Sequence, residues 1–157
     1  MKIAVVSDTH IPARLQTLPG IVYENCSDVD LILHSGDLED VSVLRDLERL
    51  APVKAVKGNM DRLDLPLFLN LKLKNKTICI SHGSGTYHDV RLRLYKKFIQ
   101  LKPDIIIHGH THEFYWQKNK NIWFLCPGAI SNPIGYRSMA LLTLEDNQEP
   151  IVEKITF

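Results

Sequence analysis

The sequence predicts a single α/β domain, with mixed β-sheets and the helices on the outside. Short apolar or β-branched runs alternate with longer amphipathic stretches in the first two thirds of the chain, which is typical of repeated βα units. From residue 114 onward the helical pattern stops and strand-like runs follow one another, so the second half is expected to be more antiparallel. The length of 157 residues suits one compact domain that spans residues 1–157.

The elements of the first half are expected in alternating order. They are a strand at 3–6, a helix at 21–26, a strand at 31–33, a helix at 41–50 and a strand at 53–56. The second helix has an approximate inward face that recurs every third residue, at Val41, Leu44, Leu47 and Leu50. Either Asp40 or Ser42 could cap its first turn.

The later elements begin with a predicted hairpin, because Asn75 and Lys76 read as a turn between two apolar runs. A basic helix follows, and its cationic residues are expected to form a solvated face rather than a binding patch. Its inward side is expected to contain Val90, Leu94, Phe98 and Leu101. The predicted strands of this half lie at 69–73, 77–80, 105–107, 114–117, 122–125, 139–144 and 151–155.

Composition excludes several classes of function. Nineteen Lys and Arg residues against eighteen Asp and Glu leave a formal net charge of +1, so we expect no dedicated nucleic-acid-binding surface. No apolar run approaches the ~20 residues of a membrane span, and Asp8 interrupts the start before a signal-peptide core could form, so a cytoplasmic location is expected. Cys26, Cys79 and Cys126 are widely spaced and are expected to be buried apolar side chains.

Asp, Asn and His side chains follow five of the predicted strands, in each case just beyond the carboxyl end. They are Asp8 and His10, Asp37, Asn59, His82, and His110 with His112. Since α/β sheets place their sites at this edge, we expect these seven side chains to converge. Oxygen and imidazole donors bind divalent metals, and seven are too many for one tetrahedral ion but suit a pair of ions. With Asp37 as a bridging carboxylate, two ions about 3.5 to 4 Å apart could clamp the attacking and leaving oxygens of a displacement at phosphorus.

The five blocks that carry these residues resemble the calcineurin-like metallophosphoesterase superfamily, over nearly the whole chain. The blocks are Asp8-Thr9-His10, Gly36-Asp37, Gly58-Asn59, His82-Gly83 and Gly109-His110-Thr111-His112. Length and spacing most resemble its small single-domain phosphodiesterase branch. The resemblance implies a four-layer αββα sandwich of two mixed sheets flanked by helices. It also implies that Asp8, His10 and His112 hold one ion, that Asn59, His82 and His110 hold the other, and that Asp37 bridges them.

The same resemblance implies hydrolysis of a small phosphoester, most readily a phosphodiester, by a hydroxide bound at a dinuclear metal centre. Asp37, Asn59 and His82 would then be catalytic. Mn²⁺ is the metal that the family implies, although mixed imidazole and carboxylate ligands also accept Ni, Co, Fe or Zn. A homo-oligomer remains open. Because metal binding makes hydroxide available at neutral pH, no protein nucleophile is required.

The main alternative function is a non-catalytic scaffold. The small branch also resembles the retromer scaffold subunit, which has the same fold, serves protein assembly and has altered metal-site residues. Here all seven positions are good ligands, and a protein kept only for its surface would not need so many converging donors, which favours the enzyme. A structural zinc protein is disfavoured, because such sites prefer four ligands and thiolates.

Three residues depart from the family pattern. Many relatives have a histidine directly after the motif Asn, where it is thought to protonate the leaving group, but here that residue is Met60. General-acid help is typically worth about 10² to 10⁴ fold, so we predict a preference for acidic leaving groups. The stretch Cys126-Pro127-Gly128-Ala129 resembles the Asn-Pro-Gly-Ser turn of the family with both outer residues changed. Any substrate contact that the family makes through that Asn and Ser is therefore not expected from Cys126 and Ala129.

Five further residues are candidates for supporting roles. His34 and His108 lie between a strand and a motif glycine and are expected to orient the ligands or to fill the core. Asp40 and Asp61 could also orient ligands, with helix capping or solvent exposure as alternatives. Arg137, in a polar turn, is a candidate for binding a substrate phosphate, because a guanidinium suits oxyanions.

Overall fold

A computed structural model describes residues 1–132 and 135–157. The strands and helices in these residues are β1 (Lys2–Val6), α1 (Gly20–Cys26), β2 (Leu31–His34), α2 (Val41–Glu48), β3 (Val53–Ala55), β4 (Leu69–Leu73), β5 (Lys76–Ile80), α3 (Val90–Phe98), β6 (Ile105–Ile107), β7 (Phe114–Asn119), β8 (Ile122–Pro127), β9 (Ser138–Thr143) and β10 (Ile151–Thr156). These bounds confirm the predicted order of elements. None of the helices in the described ranges is long and apolar enough to cross a membrane.

The strands form two mixed sheets of five strands each. The first has the order β10-β9-β1-β2-β3, in which β1, β2 and β3 are parallel and β9 is antiparallel to both of its neighbours. The second has the order β4-β5-β6-β8-β7, in which β5, β6 and β8 are parallel and the two edge strands are antiparallel. The second half is therefore only partly antiparallel, because β8 pairs in parallel with β6.

Alternating side chains of the central strands build the layers. In β1, Ala4 and Val6 face α1 and α2, whereas Ile3 and Val5 pack between the two sheets. In the second sheet, Ile106 packs against α3, while its neighbours in β6 face the first sheet. Strands that are apolar on both faces are expected where both faces are covered. The result is the predicted four-layer sandwich, with α1 and α2 on one side and α3 on the other.

The inward faces of the helices differ in detail from the prediction. Helix α2 buries Val43 and Leu47, and Val41 is exposed. Residues spaced by three fall behind the 3.6-residue turn by about 60° per step, so four of them cannot all face one sheet. The basic helix ends at Phe98 and a short 3₁₀ turn follows, which leaves Leu101 exposed.

The three cysteines are free and buried, as the sequence predicted. Burial raises the pKa of the Cys126 thiol to about 12 and that of Cys26 to about 12. Thiols of this kind are poor nucleophiles near neutral pH. Cys26 packs in the apolar layer of α1, and Cys79 packs beneath α3.

Candidate metal centre

The loops that follow β1, β2, β5 and β6 are joined to one another at one end of the sandwich. The backbone N–H of Asp8 donates to Gly36 at 2.9 Å, and that of His10 donates to Asp37 at 3.0 Å. In the second sheet the N–H of Gly109 donates to the carbonyl of His82 at 3.1 Å. These bonds join the loops within each sheet, and the contact of His82 Nδ1 with the carbonyl of Ser35 at 2.8 Å joins the two sheets at the same end.

One group of ligand atoms comes from the first and the last motif. Asp8, His10 and His112 offer atoms that all lie within 4.8 Å of one another. The Nε2 atom of His112 is 3.0 Å from Asp8 Oδ1, and that of His10 is 3.8 Å from the same oxygen. Asp8 and His10 are buried, and only the His112 side chain retains appreciable contact with solvent. One carboxylate and two imidazoles could thus hold a single cation.

A second group shares Asp8 with the first and adds Asp37 and His82, again within 4.8 Å. The Nε2 atom of His82 lies 3.3 Å from Asp37 Oδ2 and 3.9 Å from Asp8 Oδ1. The same Asp37 oxygen is 3.6 Å from His10 Nε2, so Asp37 faces an imidazole of each group. This is the position that a carboxylate needs in order to contact two neighbouring cations.

Asn59 and His110 lie at the outer side of the second group. Asn59 Oδ1 is 3.2 Å from His110 Nδ1, and the ring of His110 stands edge-on to that of His82 with 5.4 Å between the centroids. The other ring nitrogen of His110 is 2.9 Å from the carbonyl of Gly85. The structure thus brings all seven predicted ligands to one region, with these two held through each other and through a loop.

Three of the buried side-chain atoms at the centre have no hydrogen-bond partner of good geometry within residues 1–132 and 135–157. They are Asp8 Oδ1, His10 Nε2 and His82 Nε2, and they are the atoms that converge in the two groups. A buried polar atom left without a partner is costly, and most such atoms in folded proteins are satisfied by protein, water or an ion. Carboxylate oxygen and imidazole nitrogen suit the divalent ions from Mn to Zn, so the residues present fit such a cation.

The charges at the centre attract one another strongly. Burial by itself would raise the pKa of Asp8, but the neighbouring His112 and His82 imidazoles outweigh it and lower that pKa. Burial would likewise lower the pKa of His82, and the carboxylates of Asp37 and Asp8 outweigh it and raise that pKa. A metal ion must displace the imidazole proton before it can bind, so metal affinity is expected to fall as the pH is lowered.

Two of the imidazoles are oriented by partners behind them. Glu39 Oε1 lies 2.6 Å from His10 Nδ1, and the carbonyl of Ser35 lies 2.8 Å from His82 Nδ1. A partner that accepts the Nδ1 proton leaves Nε2 free as a ligand and fixes the plane of the ring. The role of Glu39 was not predicted from the sequence, where its place two residues after Asp37 was the one available signal.

Asp61 fixes the loop that carries Asp37 and Glu39. Its carboxylate accepts backbone N–H groups of Asp37 at 2.9 Å, Leu38 at 2.7 Å, Glu39 at 2.7 Å and Gly58 at 2.7 Å. The two acidic residues of this loop have left-handed backbone, with φ of 58° and 75°. Non-glycine residues held in that region are typical of functional sites, where the surrounding structure over-determines the backbone.

Gly58 makes room for the central carboxylate. A Cβ atom at this position would overlap Asp37 Oδ1 and would lie 2.8 Å from its carboxyl carbon. The same carboxylate oxygen accepts the backbone N–H of Met60 at 2.8 Å. The glycine of the third block is therefore required by the close approach of its backbone to Asp37.

Residues 1–147 match the family model of the calcineurin-like phosphoesterase superfamily domain. The chain belongs to this superfamily. It is 39% identical over 153 residues to a probable metallophosphoesterase of Methanocaldococcus jannaschii, covering 95% of this chain and 79% of that protein. It is 27% identical over 148 residues to a phosphodiesterase of the same organism, covering 82% of this chain and 83% of that protein.

Among solved structures, the phosphoesterase domain described here is similar to Vps29 of Entamoeba histolytica complexed with Zn²⁺. The two share 25% sequence identity at a TM-score of 0.82, and the match covers 99% of each chain. A Thermotoga maritima protein solved by solution NMR shares 32% identity at a TM-score of 0.77, with 99% of each chain covered. These comparisons confirm the fold and the family.

The two buried histidines behind the motifs have different surroundings. His34 Nδ1 accepts the N–H of Gly36 at 3.1 Å, and its Nε2 lies 3.2 Å from the hydroxyl of Thr9. His108 Nδ1 lies 2.9 Å from the carbonyl of Gly109, while its Nε2 has no partner among the described residues. Burial lowers the pKa of each to about 4, so both are neutral at pH 7. Each one contacts the backbone of a motif in this phosphoesterase domain.

Asp40 belongs to neither group of ligand atoms, and Arg137 is described through its backbone hydrogen bonds. The Asp40 carboxylate is exposed and accepts the N–H of Ser42 at 2.8 Å, so it caps α2, which was one of the alternatives for this residue. Arg137 exchanges backbone hydrogen bonds with Phe157 at 3.1 and 3.0 Å. Its role toward a substrate phosphate stays a prediction.

Proposed function

We propose that the protein is a phosphodiesterase that uses two divalent metal ions, with Mn²⁺ as the expected metal. The observation that carries this proposal is the convergence of three buried ligand atoms, Asp8 Oδ1, His10 Nε2 and His82 Nε2, beside the Asp37 carboxylate, with no hydrogen bond of good geometry to any of them among the described residues. Membership of the superfamily and similarity to a phosphodiesterase support the same chemistry. A scaffold binds its partners through its surface. Buried polar atoms without hydrogen-bond partners are costly unless an ion or water satisfies them, so their presence here favours a metal site.

The residues that would hold the ions form two sets. Asp8, His10 and His112 would hold one ion, and His82, Asn59 and His110 would hold the other, with Asp37 in contact with both. Divalent ions at these positions would stabilise negative charge on phosphate oxygens and would lower the pKa of bound water toward about 7. The protein side chains would bind and orient the ions and the substrate.

Several residues of this chain would prepare that chemistry. Glu39 and the carbonyl of Ser35 hold two imidazoles with Nε2 directed at the centre. Asp61 fixes the backbone that presents Asp37. Met60 has no proton to donate to a leaving group and its side chain is exposed, so the chain contributes no general acid at the position that many relatives use.

A scaffold function is the second candidate, and its support is the similarity to Vps29 over the whole chain. The two candidates differ in whether turnover requires the ligand cluster. An enzyme needs the cluster for the reaction. A scaffold of the same fold would keep partner binding when the cluster is changed.

The test is hydrolysis of bis-p-nitrophenyl phosphate by the purified protein with added Mn²⁺, together with metal analysis. We expect metal-dependent turnover. Asp37→Asn or Asn59→Ala removes a metal ligand, so each is expected to lower the rate by well over 10 to 100 fold, which is the effect typical of losing a contact that only supports a ligand. Asp40→Asn is the matched control, because that carboxylate is exposed and outside the cluster. Protein that binds metal but shows no turnover with Mn, Ni, Co, Fe or Zn would reject the phosphodiesterase and favour the scaffold.

A further inference from the structure

A cavity of about 280 Å³ lies beside the candidate metal centre, between the loop after β3 and helix α3. Asn59 and His82 form part of its wall, so the cavity opens directly onto the proposed second ion site. Its volume is close to the lower end of the range of small-molecule sites, about 300 to 1,000 Å³. A cavity of this size can hold one substituent of a substrate.

The wall of this cavity is cationic. Lys57, Arg93 and Lys97 contribute to it, and within the described ranges no Asp or Glu does. The whole chain has a formal net charge of only +1, so three cations without a carboxylate are a local concentration of positive charge. Clefts lined by one sign of charge attract ligands of the opposite sign.

Among these cations, Lys97 has the best-defined surroundings. Its ammonium lies 3.2 Å from the hydroxyl of Ser81 and 5.1 Å from the ring centroids of Phe68 and Phe98. No carboxylate of the described residues lies within 4 Å of it. Partial burial removes part of the hydration of the Lys97 ammonium and lowers its pKa. An anion in the cavity would replace that hydration.

Lys57 resembles Lys97, whereas Arg93 differs. Lys57 directly precedes the Gly58-Asn59 block and also has no ion-pair partner among the residues that the structure describes. The Arg93 guanidinium donates to the carbonyls of Ser84 and Thr86 and pairs with Asp89 at 3.8 Å, so its donors are already engaged in holding the loop before α3. Two lysines, one from each half of the sandwich, therefore line the cavity without an ion-pair partner among the described residues.

We propose that this cavity, the Lys57–Lys97 cleft, binds a second phosphate group of the substrate. The inference rests on the proposed phosphodiesterase function and specifies its substrate class, which is a phosphodiester that bears an additional phosphate close to the scissile one. A substrate with a single phosphate would place that group at the metal centre and leave both lysines without an anion. An ammonium that binds a phosphate forms a charge-assisted hydrogen bond, which is about twice as strong as a neutral one.

The test uses two thymidine dinucleotides that differ only in a 5′-phosphate. Binding of each to the metal-free protein is measured by titration calorimetry, and hydrolysis with Mn²⁺ gives the KM of each. We expect the phosphorylated dinucleotide to bind about tenfold more tightly and to have a correspondingly lower KM. Lys97→Met and Lys57→Met are each expected to remove most of this preference, and Lys97→Arg to keep part of it. Lys96→Met is the control, because Lys96 is exposed on the same helix and does not line the cavity.

The outcomes separate the two proposals. Equal affinity of the metal-free protein for both dinucleotides would overturn the proposal that the cleft binds a phosphate. A preference for the phosphorylated dinucleotide that survives both Lys→Met substitutions would overturn it too. Absence of hydrolysis of either dinucleotide, with the binding preference present and lost in Lys97→Met, would reject the phosphodiesterase and keep the cleft as a phosphate-binding site. The lysines are surface residues, so the variants are expected to unfold at the wild-type temperature, which circular dichroism checks.

Discussion

The carboxylate of Asp61 offers the sharpest test of how the centre is built. Each of its oxygens accepts two backbone N–H groups, Oδ1 from Leu38 and Glu39 and Oδ2 from Asp37 and Gly58. The side chain is buried, so water cannot replace these bonds. The substitution Asp61→Asn keeps the shape of the side chain but exchanges one acceptor oxygen for a donor group. In either orientation of the amide, two N–H groups then face an NH₂ group.

The expected cost follows from those two lost bonds. A hydrogen bond to a charged group contributes about 1.5 to 3 kcal/mol, and a buried donor left without an acceptor costs about 1 to 3 kcal/mol. Since neighbouring losses are not additive, we expect Asp61→Asn to lower the free energy of unfolding by about 3 to 5 kcal/mol. For a chain of this length each kcal/mol lowers Tm by about 2 to 4 °C, which gives a decrease of roughly 10 °C.

The measurement is urea and thermal unfolding of the protein in EDTA, followed by circular dichroism. The control is Asp40→Asn, because that exposed carboxylate accepts one N–H as a helix cap and Asn caps helices equally well. The control is expected to unfold at the wild-type urea concentration. A free energy of unfolding for Asp61→Asn within about 0.5 kcal/mol of the wild type would refute the proposed bonding of this loop.

Three further predictions concern the surroundings of the ligands. Glu39→Gln, which weakens the orientation of the His10 ring, is expected to reduce Mn²⁺ affinity about 10 to 100 fold in calorimetry, with the fold unchanged by circular dichroism. Gly58→Ala is expected to lower the free energy of unfolding by about 1 to 3 kcal/mol, because the added methyl group would overlap a buried carboxylate. Gly20→Ala is the control and is expected not to destabilise the protein, because no described atom lies within 4 Å of a Cβ at that position. Because Met60 cannot protonate a leaving group, rates are expected to fall steeply from aryl to alkyl phosphodiesters, and a flat series under conditions where chemistry limits the rate would contradict this.

The order and type of the elements could be predicted from sequence because each apolar run is short and ends in a clear break. The bounds of β4 and β6 coincide with the predicted ranges 69–73 and 105–107. The inward face of α2 could not be read, because spacing by three fits a helix only approximately and packing selects Val43 instead of Val41. Local patterns predict whether a segment is a helix or a strand better than they predict which face of a helix is buried.

The candidate site was predictable to the extent that its residues follow strand ends. Convergence of the seven donors follows from parallel strands that end at one edge. The contact of Glu39 with His10 joins residues 29 positions apart. Three of the four N–H groups that Asp61 accepts belong to the loop after β2, 22 to 24 positions away, so local patterns do not predict these contacts. Lys97 was expected on a solvated face, and its place in the cleft depends on how α3 packs beside the loop after β3.

The ligand groups draw on both sheets, and this has a mechanical consequence. Asp8 and Asp37 follow strands of the first sheet, whereas His82 and His112 follow strands of the second. A cation bound among them would act as a cross-link at the open end of the core, and it would stabilise the folded state by mass action. Amide protons of β1 and of β6 should therefore slow their exchange with solvent together when metal is added, although these strands lie in different sheets.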